Sequence, residues 1–316
     1  MVVHLKLLIL AQFEPEFKYY RAEYFLDKNG SLRSDTEVFH LPALTSPLFV
    51  RADGIAGTTT GMCKANAALT LAVILSDCRF YTTEKASPYI FSTGCAGGPV
   101  ERTTLGDVVV STKVVDFDMG HHLESDDLHL DEYGTPDEPV FKEFPSFNHM
   151  AYFELNQELV KRVLNASKRV KLEDNQAAQL VRSEYNDLKI PTVHKGISIQ
   201  SDNFWHGYGM RKRAEYVINL HLRRVQGSRN EDDVYKTTQC EDASIAQVAV
   251  RFGVLDKLFC IRDVVNYDAP PKPTTSHDQL KISAYTTAGQ MAPAFDLGHK
   301  NNFLVGKVLI EDLLKI

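Results

Sequence analysis

The sequence lacks the means to cross a membrane, to cross-link itself or to grip a polyanion. Its longest apolar stretches, such as residues 67–75, fall far short of the ~20 residues a membrane-spanning helix needs. Five cysteines occur among 316 residues, at 63, 78, 95, 240 and 260. The number is odd and no CxxC spacing appears, so neither a disulfide framework nor a zinc site is expected, and reduced thiols in a cytoplasmic setting fit best. Basic residues are the minority, 35 Lys and Arg against 41 Asp and Glu, for a formal net charge of -6. That balance argues against a broad surface for nucleic acid, though it leaves room for one small anion in a pocket. The apolar run 5–11 has no basic leader before it and no small-residue cleavage site after it, so it reads as a buried strand rather than an export signal. No internal repeat, low-complexity tract or linker divides the chain.

What is present alternates strand-like and helix-like segments. Strands are predicted at 5–11, 89–93, 107–117, 193–200 and 258–266, with hairpin strands at 37–40 and 48–52 around the turn Asp27-Lys28-Asn29-Gly30. Helical spacing covers 62–76, 156–170, 175–185, 210–225, 241–252 and 302–314. The rhythm predicts one α/β domain over residues 1–316, with a mixed β-sheet flanked by helices. In such sheets ligands bind beyond the carboxyl ends of strands, where loops and helix N-termini gather. The segments at those ends are 12–16, 93–98, 201–206 and 266–271, together with the polar cluster 239–242 ahead of a helix.

In order along the chain stand LILAQFEPEF, TTGMCKANAA, TGCAGGPVERTTLGDVVVSTKVVDFD, SIQSDNFWHG, TTQCEDASIAQ, CIRDVVNYDAPP and FLVGKVLIEDLL. Together they resemble the nucleoside phosphorylase/nucleosidase superfamily, and within it the branch called purine nucleoside permeases. The resemblance spans nearly the whole chain, and its glycine-rich centre with the following GDVVVST is the most specific part. It implies a twisted mixed sheet flanked by helices and cleavage of the bond between a purine and ribose.

Residue by residue, the resemblance places Glu241 where relatives grip the ribose 2′- and 3′-hydroxyls, with Cys240 beside it. An ionised carboxylate suits a diol. Phe204 falls where a ring packs on the base, followed by Trp205, the only tryptophan. Cys95, Ala96 and Gly97 supply backbone groups of the glycine-rich element. Asn266 stands where many relatives, methylthioadenosine nucleosidases among them, carry an aspartic acid that protonates adenine. An amide gives up no proton, but its NH2 can donate to N7 or O6 of a 6-oxopurine, which favours inosine or guanosine. Asp268, two residues on, is the alternative acid. Glu16 matches the place of the carboxylate that activates water in nucleosidases.

The choice between water and phosphate as nucleophile rests on charge. The position where phosphorylases commonly carry arginine is Ser92, the segment 93–98 holds no Arg or Lys, and the first loop contributes Glu14 and Glu16. Carboxylates disfavour a phosphate dianion, so hydrolysis is favoured, with Arg51, Lys64 and Arg102 left as phosphate ligands should the protein be a phosphorylase. A third alternative is a non-catalytic nucleoside-binding or storage-type protein. No cofactor or metal is expected, and phosphate would enter only as a co-substrate. The expected partner is a small purine nucleoside, without nucleic acid or membrane, in a homo-oligomer as relatives form. The His and carboxylate run at 121–129 reads as a solvated loop, and the basic residues at 211–213 and 223–224 as the solvated face of one helix. Cys95, with no paired histidine, reads as a small packing residue.

Overall fold

Residues 7–11 read Leu-Leu-Ile-Leu-Ala, with nothing to hold at a surface, and they form a strand covered on both faces, β1 (Leu7–Ala11). Successive side chains of a strand point to opposite faces. Leu8 and Leu10 therefore enter one apolar cluster, and Leu7, Ile9 and Ala11 another. The computed structural model describes residues 3–80, 87–119, 151–226, 233–271 and 294–315, with the side chains of 223–226 left out.

After β1 come α1 (Glu14–Tyr24), β2 (Thr36–Phe39), β3 (Leu48–Arg51), β4 (Ile55–Thr59), α2 (Lys64–Ser76), β5 (Tyr89–Gly98), β6 (Val108–Asp116) and β7 (Tyr152–Glu154). They are followed by α3 (Gln157–Ser167), α4 (Gln176–Glu184), β8 (Val193–Gln200), α5 (Tyr208–Gln226), β9 (Tyr235–Gln239), α6 (Asp242–Arg251), β10 (Leu258–Tyr267) and α7 (Phe295–Leu314). The strands share one mixed sheet, in the order β10-β6-β8-β9-β5-β1-β4-β3-β2, with β7 on β6. Since β10 pairs with both β5 and β6, the strands β5, β10, β6, β8 and β9 close into a ring, and β1 to β4 extend from β5 as a wing.

Two apolar layers sandwich the sheet. Side chains of α1, α3 and α7 cover one face, and those of α2 and α6 the other. The first layer is built on aromatic rings: Phe91 of β5 stacks on Phe259 of β10 at 4.7 Å, and Tyr20 of α1 meets Phe91 edge-on at 5.5 Å. β1, β5 and β10 run parallel, so their carboxyl ends lie on one edge. The pairing of Gly97 with Thr238 brings the end of β9 to the same place.

The mixed α/β sheet agrees with the alternation seen in the sequence, with instructive departures. The glycine-rich segment 93–98 is the second half of β5 rather than a loop, its register running alongside Ile261 to Tyr267 of β10. Glycine there serves close packing within a sheet. Strands β2 and β3 pair with each other, and the turn at 27–30 lies before them. α1, β4, β7 and β9 were not expected, because each is short or rich in small and polar residues. The C-terminal helix begins at Phe295, seven residues before the predicted start. The run 121–129 lies outside the described residues, as do the side chains of Arg223 and Arg224. Among the described residues no helix is long and apolar enough to cross a membrane.

Phe91 has no solvent exposure and touches both aromatic neighbours. Phe91→Ala should lower stability by about 3–5 kcal/mol. Urea unfolding would show this as a lower midpoint with an unchanged slope; a loss below half a kilocalorie would contradict the packing described.

Candidate functional site

β10 is apolar except for Arg262, Asp263 and Asn266, and Arg262 is fully buried. A guanidinium removed from water needs acceptors for its donors. They come from three parts of the fold. Asp242 at the start of α6 accepts from Nε at 3.1 Å and Nη2 at 2.5 Å. Gln12 Oε1, just past β1, accepts from Nη1 at 3.0 Å, and Ser92 Oγ on β5 from Nη2 at 3.3 Å. Glu241 Oε2 lies 3.3 Å from Nη1. Ser92 in turn donates to Asp242 at 2.7 Å.

Glu16 sits in the first turn of α1, after a proline at the helix start that suits that position. Its carboxylate turns back and accepts the amide of Gln12 at 2.8 Å through Oε2. Across the sheet end it accepts the amide of Cys95 at 2.8 Å through Oε1. Burial raises its proton affinity above the ordinary carboxylate range, while Arg262, His299 and the two amides oppose that rise. Glu241 caps the other side. Its Oε1 accepts the amide of Cys63 at 3.0 Å, and burial, aided by the like charges of Glu16 and Asp242, pushes its carboxyl up to about 7 against the pull of Arg262.

Asn266 completes the cluster. A shift of register between Val264 and Asn266 sets it opposite Gly97. A Cβ on residue 97 would lie 2.8 Å from the Asn266 amide nitrogen, so glycine is what lets the amide lie over the strand end. Its NH2 also donates to the carbonyl of Tyr267 at 3.1 Å. The fold thus gathers Glu16, Cys95, Ala96, Gly97, Cys240, Glu241 and Asn266 around the ends of β1, β5, β9 and β10. Burial holds the thiol of Cys95 above its usual range, and that of Cys240 is pushed up to about 12, so neither is poised as a thiolate.

The aromatic candidates part company. Phe204 is 62% exposed, whereas Trp205 is buried against Phe117 and Tyr235, with ring centroids at 5.9 and 6.4 Å. Their segment borders the Glu241 corner, since Asp202 accepts the amide of Lys64 at 2.9 Å, one residue from Cys63. Asp268 is fully buried. Its carboxylate takes Arg211 through Nε at 2.9 Å, and the hydroxyl of Tyr235 at 2.8 Å, so both oxygens tie the end of β10 to α5 and β9. Arg211 consequently lies inside the protein, not on the solvated face expected for 211–213.

The cations proposed for phosphate are engaged elsewhere. Lys64 Nζ binds Asp116 at 2.6 Å and Asp118 at 2.8 Å, Arg102 binds Glu215 at 2.6 Å, and Arg51 pairs with Asp53. Sequence reasoning passed over Arg262, Asp242, Gln12 and His299. The signal was an Arg-Asp pair inside the apolar strand CIRDVVNY: charges in a buried strand must be answered by partners.

Residues 4–316 match the family described as purine nucleoside permease. The chain belongs to that family. Among curated relatives, it is 25% identical over 238 residues to a purine nucleoside permease of Candida albicans, covering 70% of this chain and 56% of the relative. It is 28% identical over 223 residues to a probable purine nucleoside permease of Schizosaccharomyces pombe, covering 66% and 61%. The chain therefore spans little more than half the length of these relatives. Among solved structures, the 5′-methylthioadenosine/S-adenosylhomocysteine nucleosidase of Neisseria meningitidis aligns with a TM-score of 0.58 at 15% identity, covering 97% of this chain and 99% of that one. The futalosine hydrolase of Helicobacter pylori aligns with a TM-score of 0.57 at 15% identity, covering 98% of each. These likenesses show that the chain shares the fold of these two proteins.

The raised proton affinity of Glu241 has a consequence for stability. Between the ordinary 4.5 and about 7 the folded state holds this proton more tightly than the unfolded chain. The stabilisation is complete below the lower value and is lost as pH rises through the upper one. Glu241→Gln should therefore raise stability over wild type by roughly 1–3 kcal/mol at pH 8, with the gap closing toward pH 5. Denaturant unfolding at both pH values checks this; a gap independent of pH would contradict it.

Proposed function

We propose that the protein cleaves the N-glycosidic bond of purine nucleosides, with water as the nucleophile. One observation carries this reading: a buried carboxylate, Glu16, is held by two backbone amides, of Gln12 just past β1 and of Cys95 on β5, in the same cluster as Glu241 and Asn266. The family's description supports the purine nucleoside as the ligand.

In this mechanism Glu241 accepts the ribose 2′- and 3′-hydroxyls, and Phe204 offers an exposed ring to the base. The amide NH2 of Asn266 donates to N7 or O6 as negative charge develops on the purine, which favours inosine and guanosine over adenosine. The bond loosens toward an oxocarbenium-like state. Glu16 takes the proton of a water that attacks the anomeric carbon from the face opposite the base, beside the backbone of Cys95, Ala96 and Gly97. A base whose proton affinity is raised toward neutrality is suited to accept that proton and pass it on. Asp268 is given a structural task instead, since it has no solvent exposure and its carboxylate is paired with the guanidinium of Arg211 and the hydroxyl of Tyr235.

Charge supports water over phosphate. Arg262 is saturated by Asp242, Gln12, Ser92 and Glu241 and has no exposure, and Ser92 donates to a carboxylate. A phosphate dianion would face Glu16 and Glu241 without a free cation among the residues gathered there. We also propose that residues 1–316 act as one domain, since the site draws on β1, β5, β9 and β10 together, and that the protein works as a homo-oligomer needing no cofactor.

Ribose release from inosine or guanosine in phosphate-free buffer is the expected result. Strict dependence on phosphate would make the protein a phosphorylase, and binding without release would make it a nucleoside-binding protein. Glu16→Gln should slow hydrolysis by about 10²- to 10⁴-fold while leaving nucleoside affinity close to wild type; near-normal turnover would remove Glu16 from the mechanism. Because the diol needs Glu241 ionised, affinity should rise as pH passes upward through about 7. Trp205, the sole tryptophan, gives the fluorescence readout, and a pH-independent affinity would count against Glu241.

A further inference from the structure

The layer of α7 against β5 and β10 contains a titratable pair to which the proposed reaction assigns no part. His299 is 3% exposed, and its Nδ1 lies 2.9 Å from Asp263 Oδ2 on β10. Helix and strand come this close because residue 298 is glycine; a Cβ there would meet Asp263 Oδ2 at 2.5 Å. The other oxygen, Oδ1, accepts Asn302 Nδ2 at 2.9 Å, and Asn302 is itself fixed by Thr93 at 2.6 Å and Tyr20 at 2.9 Å. Asp263 is thus clamped from both sides. Across the sheet it is paired with Cys95, whose amide holds Glu16. Phe13, which leads into α1, and Phe295 close the histidine ring in at 6.4 and 4.3 Å, so screening by water is weak. Among the described residues Nε2 has no hydrogen-bond partner, so the ring is anchored through Asp263 alone.

We propose that Asp263 and His299 are a positioning pair for the general base: Asp263 holds His299 as an imidazolium, whose field keeps Glu16 ionised while the enzyme works. This rests on the reading of Glu16 as the base. The charges facing His299 are Asp263 from β10, Glu16 from α1 and Asp296 from its own helix, the last paired with Lys18 of α1. All three carboxylates raise its proton affinity against burial, which lowers it, and the net direction is upward. Glu16 faces Arg262 from β10, His299 from α7, the Cys95 thiol from β5 and Glu241 ahead of α6. Arg262 is locked into its own carboxylates, so among the described residues facing Glu16, His299 is the cation whose charge changes near neutral pH. Coupling between two titrating groups is mutual, so removing either charge must move the other.

Two measurements test this. The pH profile of kcat for ribose release at saturating nucleoside reports the acid limb of the bound complex, in which Glu241 is already ionised against the diol. His299→Gln should move that limb to higher pH by roughly half to one unit, with the alkaline plateau retained, because the neutral side chain no longer favours the carboxylate. A loss of rate at every pH without a shift would mean a merely structural histidine. The second readout needs no turnover: NMR titration of the His299 imidazole, assigned by its absence in His299→Gln. Its titration should move to lower pH in Glu16→Gln, and further in Asp263→Asn. Should His299→Gln fail to fold, the imidazole is assigned instead by its displacement in Asp263→Asn, and the titration in Glu16→Gln still decides. An acid limb that stays in place in folded His299→Gln, or an imidazole that titrates alike in wild type and Glu16→Gln, overturns the proposal. Full hydrolysis by Glu16→Gln would instead remove Glu16 as the base, with the imidazole titration still reporting whether the two groups are coupled.

Discussion

The site depends on one buried cation. Arg262 has no access to water, and it binds groups from β1, β5 and the start of α6 at once. Glu16, Glu241 and Asp242 stand around it, so with all three ionised the cluster would hold two negative charges more than it can neutralise. Burial raises the proton affinities of both Glu16 and Glu241, and at Glu241 the like charges of Glu16 and Asp242 add to it. A buried ion network of this kind adds little to stability compared with apolar packing of equal volume. Its effect is geometric: it keeps carboxylates from distant parts of the chain at fixed positions within one cluster.

The sheet makes this arrangement reachable. Parallel pairing of β5 with β1 and with β10 aligns three carboxyl ends, and the contact of β9 with Gly97 adds the Gln239–Asp242 corner. Gln239 completes that corner by accepting the amides of Glu241 and Asp242, which caps α6 with a neutral group and leaves the Glu241 carboxylate turned to Cys63 and Arg262. Asp268 secures the far end of β10 through Arg211 and Tyr235, so the stretch that carries Asn266 is anchored on both sides.

Much of the fold was legible because its signals are local. The apolar run of β1, the β-branched run of β6 and the periodicities of α3 to α6 each announce their element within a few residues. α1 and β4 escaped because EPEFKYY and IAGTT carry weak local preferences and are held by what they pack against, such as Phe17 and Phe25 over Gly57. Of the cluster, Glu16, Glu241 and Asn266 were found through the resemblance of their surrounding segments. Arg262 and His299 were not, because their meaning lies in partners far away along the chain, 250 residues in the case of Arg262 and Gln12. Asp268 illustrates the same limit: its residue type and position suggested an acid, and only the packing of α5 shows its oxygens already bound.

The name permease and the architecture pose a question about what distinguishes a binder from an enzyme. Both need a grip on the ribose and on the base, and groups such as Glu241, Phe204 and Asn266 could serve either. A binder has no use for a second carboxylate in the same cluster. Glu16 is buried, is repelled by Glu241 and is removed from water, all of which oppose its charged form. It is nonetheless held by two amides, with a guanidinium and a histidine opposing its neutralisation. Interactions that disfavour the resting site yet place a proton acceptor at a fixed point are what differential stabilisation of a transition state requires. An apolar side chain at this position would leave the buried amides of Gln12 and Cys95 unpaired, so the carboxylate that the proposed reaction uses as a base also ties the end of β1 to β5, and its position is fixed by the fold itself.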